Sequence, residues 1–131
     1  MDTIVKYQVI VEEKLGELSL GQSPKGLYDP IRYILGLGGK RLRPAVCMAI
    51  CQFYSGNGHA ALSAALGLEV FHNFTLLHDD IMDNSPIRRN MATVHNKWNN
   101  NTAILSGDAM MIVASQLMLD VPDRCLSQVQ R

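Results

Sequence analysis

The 131-residue chain balances twelve Lys and Arg against twelve Asp and Glu, and 47% of its residues are hydrophobic. That composition supports one packed domain and excludes a disordered chain. With no net charge there is no global pull toward nucleic acid or an acidic membrane surface, so the local patches carry the information: basic at 40–43, acidic at 79–83 and basic again at 88–89.

Taken in order, residues 2–18 read as an amphipathic helix with Asp2 as its cap and Ile4, Tyr7, Val11, Leu15 and Leu18 on one face. Residues 19–26 are loop by composition. Asp29-Pro30 reads as a cap followed by proline at the first helical position, opening a short helix that ends near Leu35. Gly36, Gly38 and Gly39 then break the chain. A third helix is expected over Leu42–Tyr54, with Pro44 in its first turn and Gly56 at its end. From His59 to Asp83 the sequence is apolar on nearly all sides, as in a helix buried inside a bundle. Asn84-Ser85-Pro86 closes it. A short helix over Thr93–Trp98, a longer one from Thr102 to about Leu119 capped by Asn100-Asn101, and a possible start of another after Pro122 complete the pattern. No sustained alternation competes, so the expected fold class is all-α, with about seven helices.

Three cysteines, two of them four apart, read as small buried thiols of a reducing compartment. The acidic N-terminal stretch does not read as a signal peptide. The apolar run Ala103–Leu119 is broken by Ser106, Gly107 and Asp108, so no segment reads as membrane-spanning. The expected location is cytoplasmic.

The chemistry concentrates in Leu76–Asn90, LLHDDIMDNSPIRRN. Asp79 and Asp83 are four apart on one helix face, with Cβ atoms roughly 5–6 Å from each other. They repel, and they sit where the helix dipole is already negative. The arrangement reads either as a solvated acidic end paired with Arg88 and Arg89, or as a site that awaits cations. Hard oxygen donors without clustered Cys or His favour Mg²⁺. Asp80, about 100° round the helix, would assist. Upstream, GLGGKRLRP (36–44) brings Lys40, Arg41 and Arg43 onto a glycine-rich turn that feeds a helix N-terminus, a setting suited to phosphate. His72 lies two helical turns before Asp79 on the same face, and reads as a core histidine or a phosphate donor.

These motifs in this order, GGKRLRP, then DDIMD, then Arg88-Arg89, resemble the trans-isoprenyl diphosphate synthases, the polyprenyl synthetase family. The resemblance implies an isoprenoid-synthase-type helical bundle, here its N-terminal portion, with residues 1–131 forming one domain incomplete at the C-terminus. It implies a prenyltransferase that joins an allylic diphosphate to isopentenyl diphosphate. Asp79 and Asp83 would bind Mg²⁺, Asp80 would support them, and Arg88 would contact the allylic diphosphate. Lys40, Arg41, Arg43, His72 and Arg89 would hold isopentenyl diphosphate. The family's usual homodimer is expected too. Phe74, about 7.5 Å below Asp79 along the helix, with Thr75 after it, resembles the chain-length position of short-chain enzymes, favouring a C15–C20 product, geranylgeranyl over farnesyl.

Two departures accompany this. Asn90-Met91-Ala92 stands where relatives commonly carry a glycine and a proline. No second aspartate-rich motif is present, since Asp108, Asp120 and Asp123 do not form one. The rival expectation is a truncated or regulatory subunit that acts through helix association. A phosphohydrolase would need further histidines, and a terpene cyclase would not need a second diphosphate site.

Overall fold

The computed structural model describes residues 2–21 and 24–120. The helix expected after Pro122, and Cys125, lie outside the described residues. The elements are α1 (Asp2–Gly16), α2 (Lys25–Gly36), α3 (Leu42–Ser55), α4 (Leu62–Met82), a hairpin of β1 (Ile87–Arg88) and β2 (Met91–Ala92), α5 (Val94–Lys97) and α6 (Asn100–Leu119). A single 3-10 turn, Gly58–Ala61, leads into α4.

The helices form where 3- and 4-residue apolar spacing supplies a face to bury. Tyr7, Val11 and Leu15 of α1 meet Ile31, Ile34 and Leu35 of α2, Ala45 and Met48 of α3, and Val70 and Leu77 of α4 in one core. Each such side chain contributes about 1.5–3 kcal/mol on full burial. The long expected helix forms, but within this chain it is not enclosed: Phe71 is 41% exposed while Leu66, Val70, Asn73 and Leu77 are buried. Its second side stays open to further packing.

Helix α2 departs from expectation. It starts at Lys25, and Pro30 sits in its second turn rather than its first. Leu27 and Tyr28 donate back to the Pro24 carbonyl and open the helix early. Pro30 forfeits one hydrogen bond there, but Pro30, Ile31, Ile34 and Leu35 are all buried, and that burial outweighs the loss. Asp29 pairs instead with Arg32, three residues on. Pro44 falls in the first turn of α3, where its missing N–H costs nothing.

The cap of α6 is one residue earlier than expected: the Asn99 side chain accepts the Thr102 N–H at 2.8 Å. Helices α4 and α6 run against each other at close range. A Cβ at Gly107 would lie 2.5 Å from the His78 ring, so only glycine admits that approach. By length and hydropathy the stretches Gly58–Met82 and Asn100–Leu119 are long and apolar enough to cross a membrane; here they pack on each other.

The hairpin was not expected. Ile87 pairs with Ala92 and Arg88 with Met91, around a two-residue turn with Arg89 and Asn90 both at positive φ. The Asn90 departure from the family pattern is accommodated, because asparagine adopts this conformation readily. Tyr33 of α2 donates to the Ala92 carbonyl at 2.6 Å, and Thr93 donates through its N–H to Pro86 and its hydroxyl to Ser85. The hairpin is thereby fixed between α2 and the end of α4.

Candidate functional site

The end of α4 is built to stop sharply. Asn84 is left-handed, Ser85 donates to the Asp80 carbonyl and Asn84 to that of Ile81, the pairing of a Schellman cap. Asp79 stands in the last turn and Asp83 at the cap, both exposed. Neither carboxylate takes part in an ion pair or side-chain hydrogen bond among the described residues.

Asp80 is different. It is 5% exposed and accepts Arg88 Nε at 2.7 Å and Nη2 at 2.9 Å. The fork is bidentate, the strongest geometry for this pair, and these hydrogen bonds raise the Arg88 pKa above its usual value. Arg88 Nη1 has no hydrogen-bond partner among the described residues.

The second arginine goes elsewhere. Position 88 pairs across the hairpin, while Arg89 is in the turn with φ 51°. Its guanidinium lies over Gly39, where an added Cβ would meet Nη1 at 2.9 Å. Gly39, at φ 153°, is therefore the residue that lets the hairpin reach the GGK turn. There, Gly39, Lys40, Arg43, His72 and Arg89 line one cleft of about 390 Å³ together with Arg41, Leu42 and Glu69. Lys40, Arg43 and Arg89 have no ion-pair partner among the described residues. Arg43 Nη1 donates to His72 Nε2 at 3.2 Å. A guanidinium only donates, so the ring is neutral with its proton on Nδ1. Burial, then the neighbouring Arg43 charge, holds the His72 pKa below the ordinary histidine value.

Arg41, expected among the substrate-binding residues, is committed within the protein. It faces inward, 3% exposed, with Nε on Glu12 at 2.6 Å, Nη2 on the Leu35 carbonyl at 2.6 Å and Nη1 on Glu69 at 3.4 Å. All three nitrogens are engaged by the protein. The cause is local: Arg41 is the left-handed cap of α3, φ 53°, which turns its side chain away from its neighbours. Sequence reasoning gave no role to Glu69, 4% exposed, or to Asn73, whose Nδ2 donates to the Glu69 carboxylate at 3.2 Å. The signal was available: an acid inside an apolar helix face needs a countercharge.

Phe74 is half-buried on α4. It packs against His78, ring centroids 4.5 Å apart, and Phe71 at 5.5 Å. The Thr75 hydroxyl donates to the His72 carbonyl at 2.6 Å.

No group of three or more His, Cys, Asp or Glu among the described residues gathers around a possible metal position. The donor set still fits Mg²⁺, which takes one or two carboxylates and completes its shell with waters and phosphate oxygens. Asp79 and Asp83 are two such carboxylates; Asp80 is already committed to Arg88.

The arrangement places carboxylates with Arg88 at the end of α4, and a basic cleft about 10.5 Å back along the axis at His72. Residues 24–131 match the family model for polyprenyl synthetase, and the chain belongs to that family. It is 41% identical over 121 residues to the geranylgeranyl diphosphate synthase of Methanosarcina mazei, covering 92% of this chain and 37% of that protein. It is 39% identical over 133 residues to the geranylfarnesyl diphosphate synthase of Natronomonas pharaonis, covering 89% and 39%. The solved geranylgeranyl pyrophosphate synthetase from Geoglobus acetivorans superposes with a TM-score of 0.86 at 39% identity, over 98% of this chain and 44% of that one. The chain thus spans little more than a third of the length of the curated relatives it matches.

Proposed function

We propose that the chain supplies one wall of a trans-prenyltransferase site, where an allylic diphosphate is joined to isopentenyl diphosphate. The divergence of two consecutive arginines carries this reading: Arg88 goes to the acidic helix end and Arg89 to the basic cleft, giving each of two diphosphates its own cations.

Lys40, Arg43 and Arg89 hold the diphosphate of isopentenyl diphosphate, with His72 orienting Arg43. Arg88, held by Asp80, offers its remaining Nη1 to the allylic diphosphate. Asp79 and Asp83 hold Mg²⁺, which when bound neutralises charge on the leaving diphosphate. Asp80 serves that site through Arg88, and Arg41 is withdrawn from the substrate contacts because its nitrogens are already engaged. The allylic C–O bond breaks with its electron pair leaving on diphosphate. The double bond of isopentenyl diphosphate then forms the new C–C bond, and loss of a proton restores an alkene. The apolar side of α4 around Phe74 keeps water from the cation. A C15–C20 product, geranylgeranyl in preference to farnesyl, fits an aromatic stop at Phe74.

A homodimer is part of the proposal. Helix α6 leaves Ile104, Met111 and Met118, and beside them Leu105, Ile112 and Leu119, exposed at seven-residue spacing, a pattern that seeks a helical partner. Cytoplasmic location is proposed with it, and fractionation of expressing cells checks it. A second reading is supported by the apolar side chains that α6 leaves exposed: a regulatory subunit that acts through helix–helix association.

The test is calorimetric titration of isopentenyl diphosphate in the presence of a chelator. Binding should be independent of Mg²⁺ and weaken roughly tenfold or more in Lys40→Ala, the loss of one charge-assisted contact. Equal binding by Lys40→Ala would sink the assignment of the cleft.

A further inference from the structure

Among the described residues, one acid lines the basic cleft. Glu69 lines it beside Lys40, Arg43, His72 and Arg89, and the residue is 4% exposed. A buried carboxylate next to a diphosphate repels it, and in a poorly solvated setting the repulsion is strong. The side chains that meet the Glu69 carboxylate among the described residues are Asn73, which is neutral, and Arg41. Arg41, at the back of the cleft and 3% exposed, is itself held by Glu12 and the Leu35 carbonyl. Its own neighbour Lys40 is tied separately, its carbonyl accepting Gln8 Nε2 at 2.7 Å.

We propose that Arg41 is a positioning residue that sets the anion affinity of the cleft without touching the anion, by neutralising Glu69. The inference rests on the diphosphate reading of the same cleft. The alternating chemistry of GGKRLRP then has a division of labour: Lys40 and Arg43 face the ligand, and Arg41 cancels the acid behind them.

The probe is inorganic pyrophosphate, titrated calorimetrically into the chain with chelator present, with circular dichroism confirming the fold of each variant. Arg41→Gln should bind about tenfold more weakly than wild type, because an uncompensated carboxylate remains in the cleft. Glu69→Gln should bind as tightly as wild type or tighter. The double variant Arg41→Gln/Glu69→Gln should recover to within about threefold of wild type, since no unpaired buried charge is left. It also carries the test where Arg41→Gln alone does not fold.

Recovery in the double variant is the result expected, and a role in stability alone would not produce it. A double variant still ten times weaker than wild type, or an Arg41→Gln protein that binds normally, overturns the inference while leaving the cleft's assignment intact. A wild-type chain that binds no pyrophosphate overturns both.

Discussion

Consecutive residues of like chemistry do different things in this chain, and backbone conformation decides which. Lys40 and Arg41 are adjacent cations, yet one is exposed and the other lies buried on three acceptors. Arg88 and Arg89 part in the same way at a hairpin turn. Residue identity made the basic clusters legible in the sequence, and the family resemblance already gave Arg88 and Arg89 different roles, but the left-handed φ at 41 leaves no mark in a string of cations, so the burial of Arg41 was not legible. Two residue-scale predictions follow from side chains that the fold constrains. The folded protein holds His72 below its ordinary pKa, so as pH falls through about 6.5 the unfolded chain takes up a proton that the folded chain refuses. The stability associated with His72 is therefore present above that pH and lost below it. Urea midpoints measured from pH 7.5 to 5 should fall in wild type and fall less in His72→Gln; parallel slopes would remove the effect. Phe74, propped by His78, should act as a floor: in the complete protein Phe74→Ala should lengthen the product on chromatography, and an unchanged product would end that argument.

At the scale of elements, 3- and 4-residue spacing sufficed for α1, which buries one stripe, while start and stop residues and continuous apolar runs sufficed for α3, α4 and α6. It failed at α2, where Asp29-Pro30 looks like a start signal but tertiary burial of Ile31, Ile34 and Leu35 extends the helix back through Pro24 and Lys25. It also failed at residues 87–92, whose strands are two residues each, too short for alternation to register. The α4–α6 contact offers a direct check. Gly107→Ala would drive a methyl group into the His78 ring, which Phe74 backs, and should destabilise by about 1–3 kcal/mol. Thermal unfolding reads this, and an unchanged midpoint would mean that the helices do not meet as closely as described.

For the whole molecule, the family membership and the all-α fold converge, and the proposed two-diphosphate site is consistent with both. What remained illegible was the open side of α4 and α6. A helix apolar all round predicts burial but does not say by which segment, and the chain spans only part of its relatives' length. The proposed function makes the acidic end of α4 intelligible: on that reading, repelling carboxylates at a negative helix terminus are offset by the cations they would bind. The decisive measurement is binding of a non-ionisable allylic diphosphate analogue with and without Mg²⁺, by wild type and by Asp79→Ala. Binding should strengthen at least tenfold with Mg²⁺ in wild type, and that gain should vanish in Asp79→Ala. Binding indifferent to both the metal and the substitution would contradict the account.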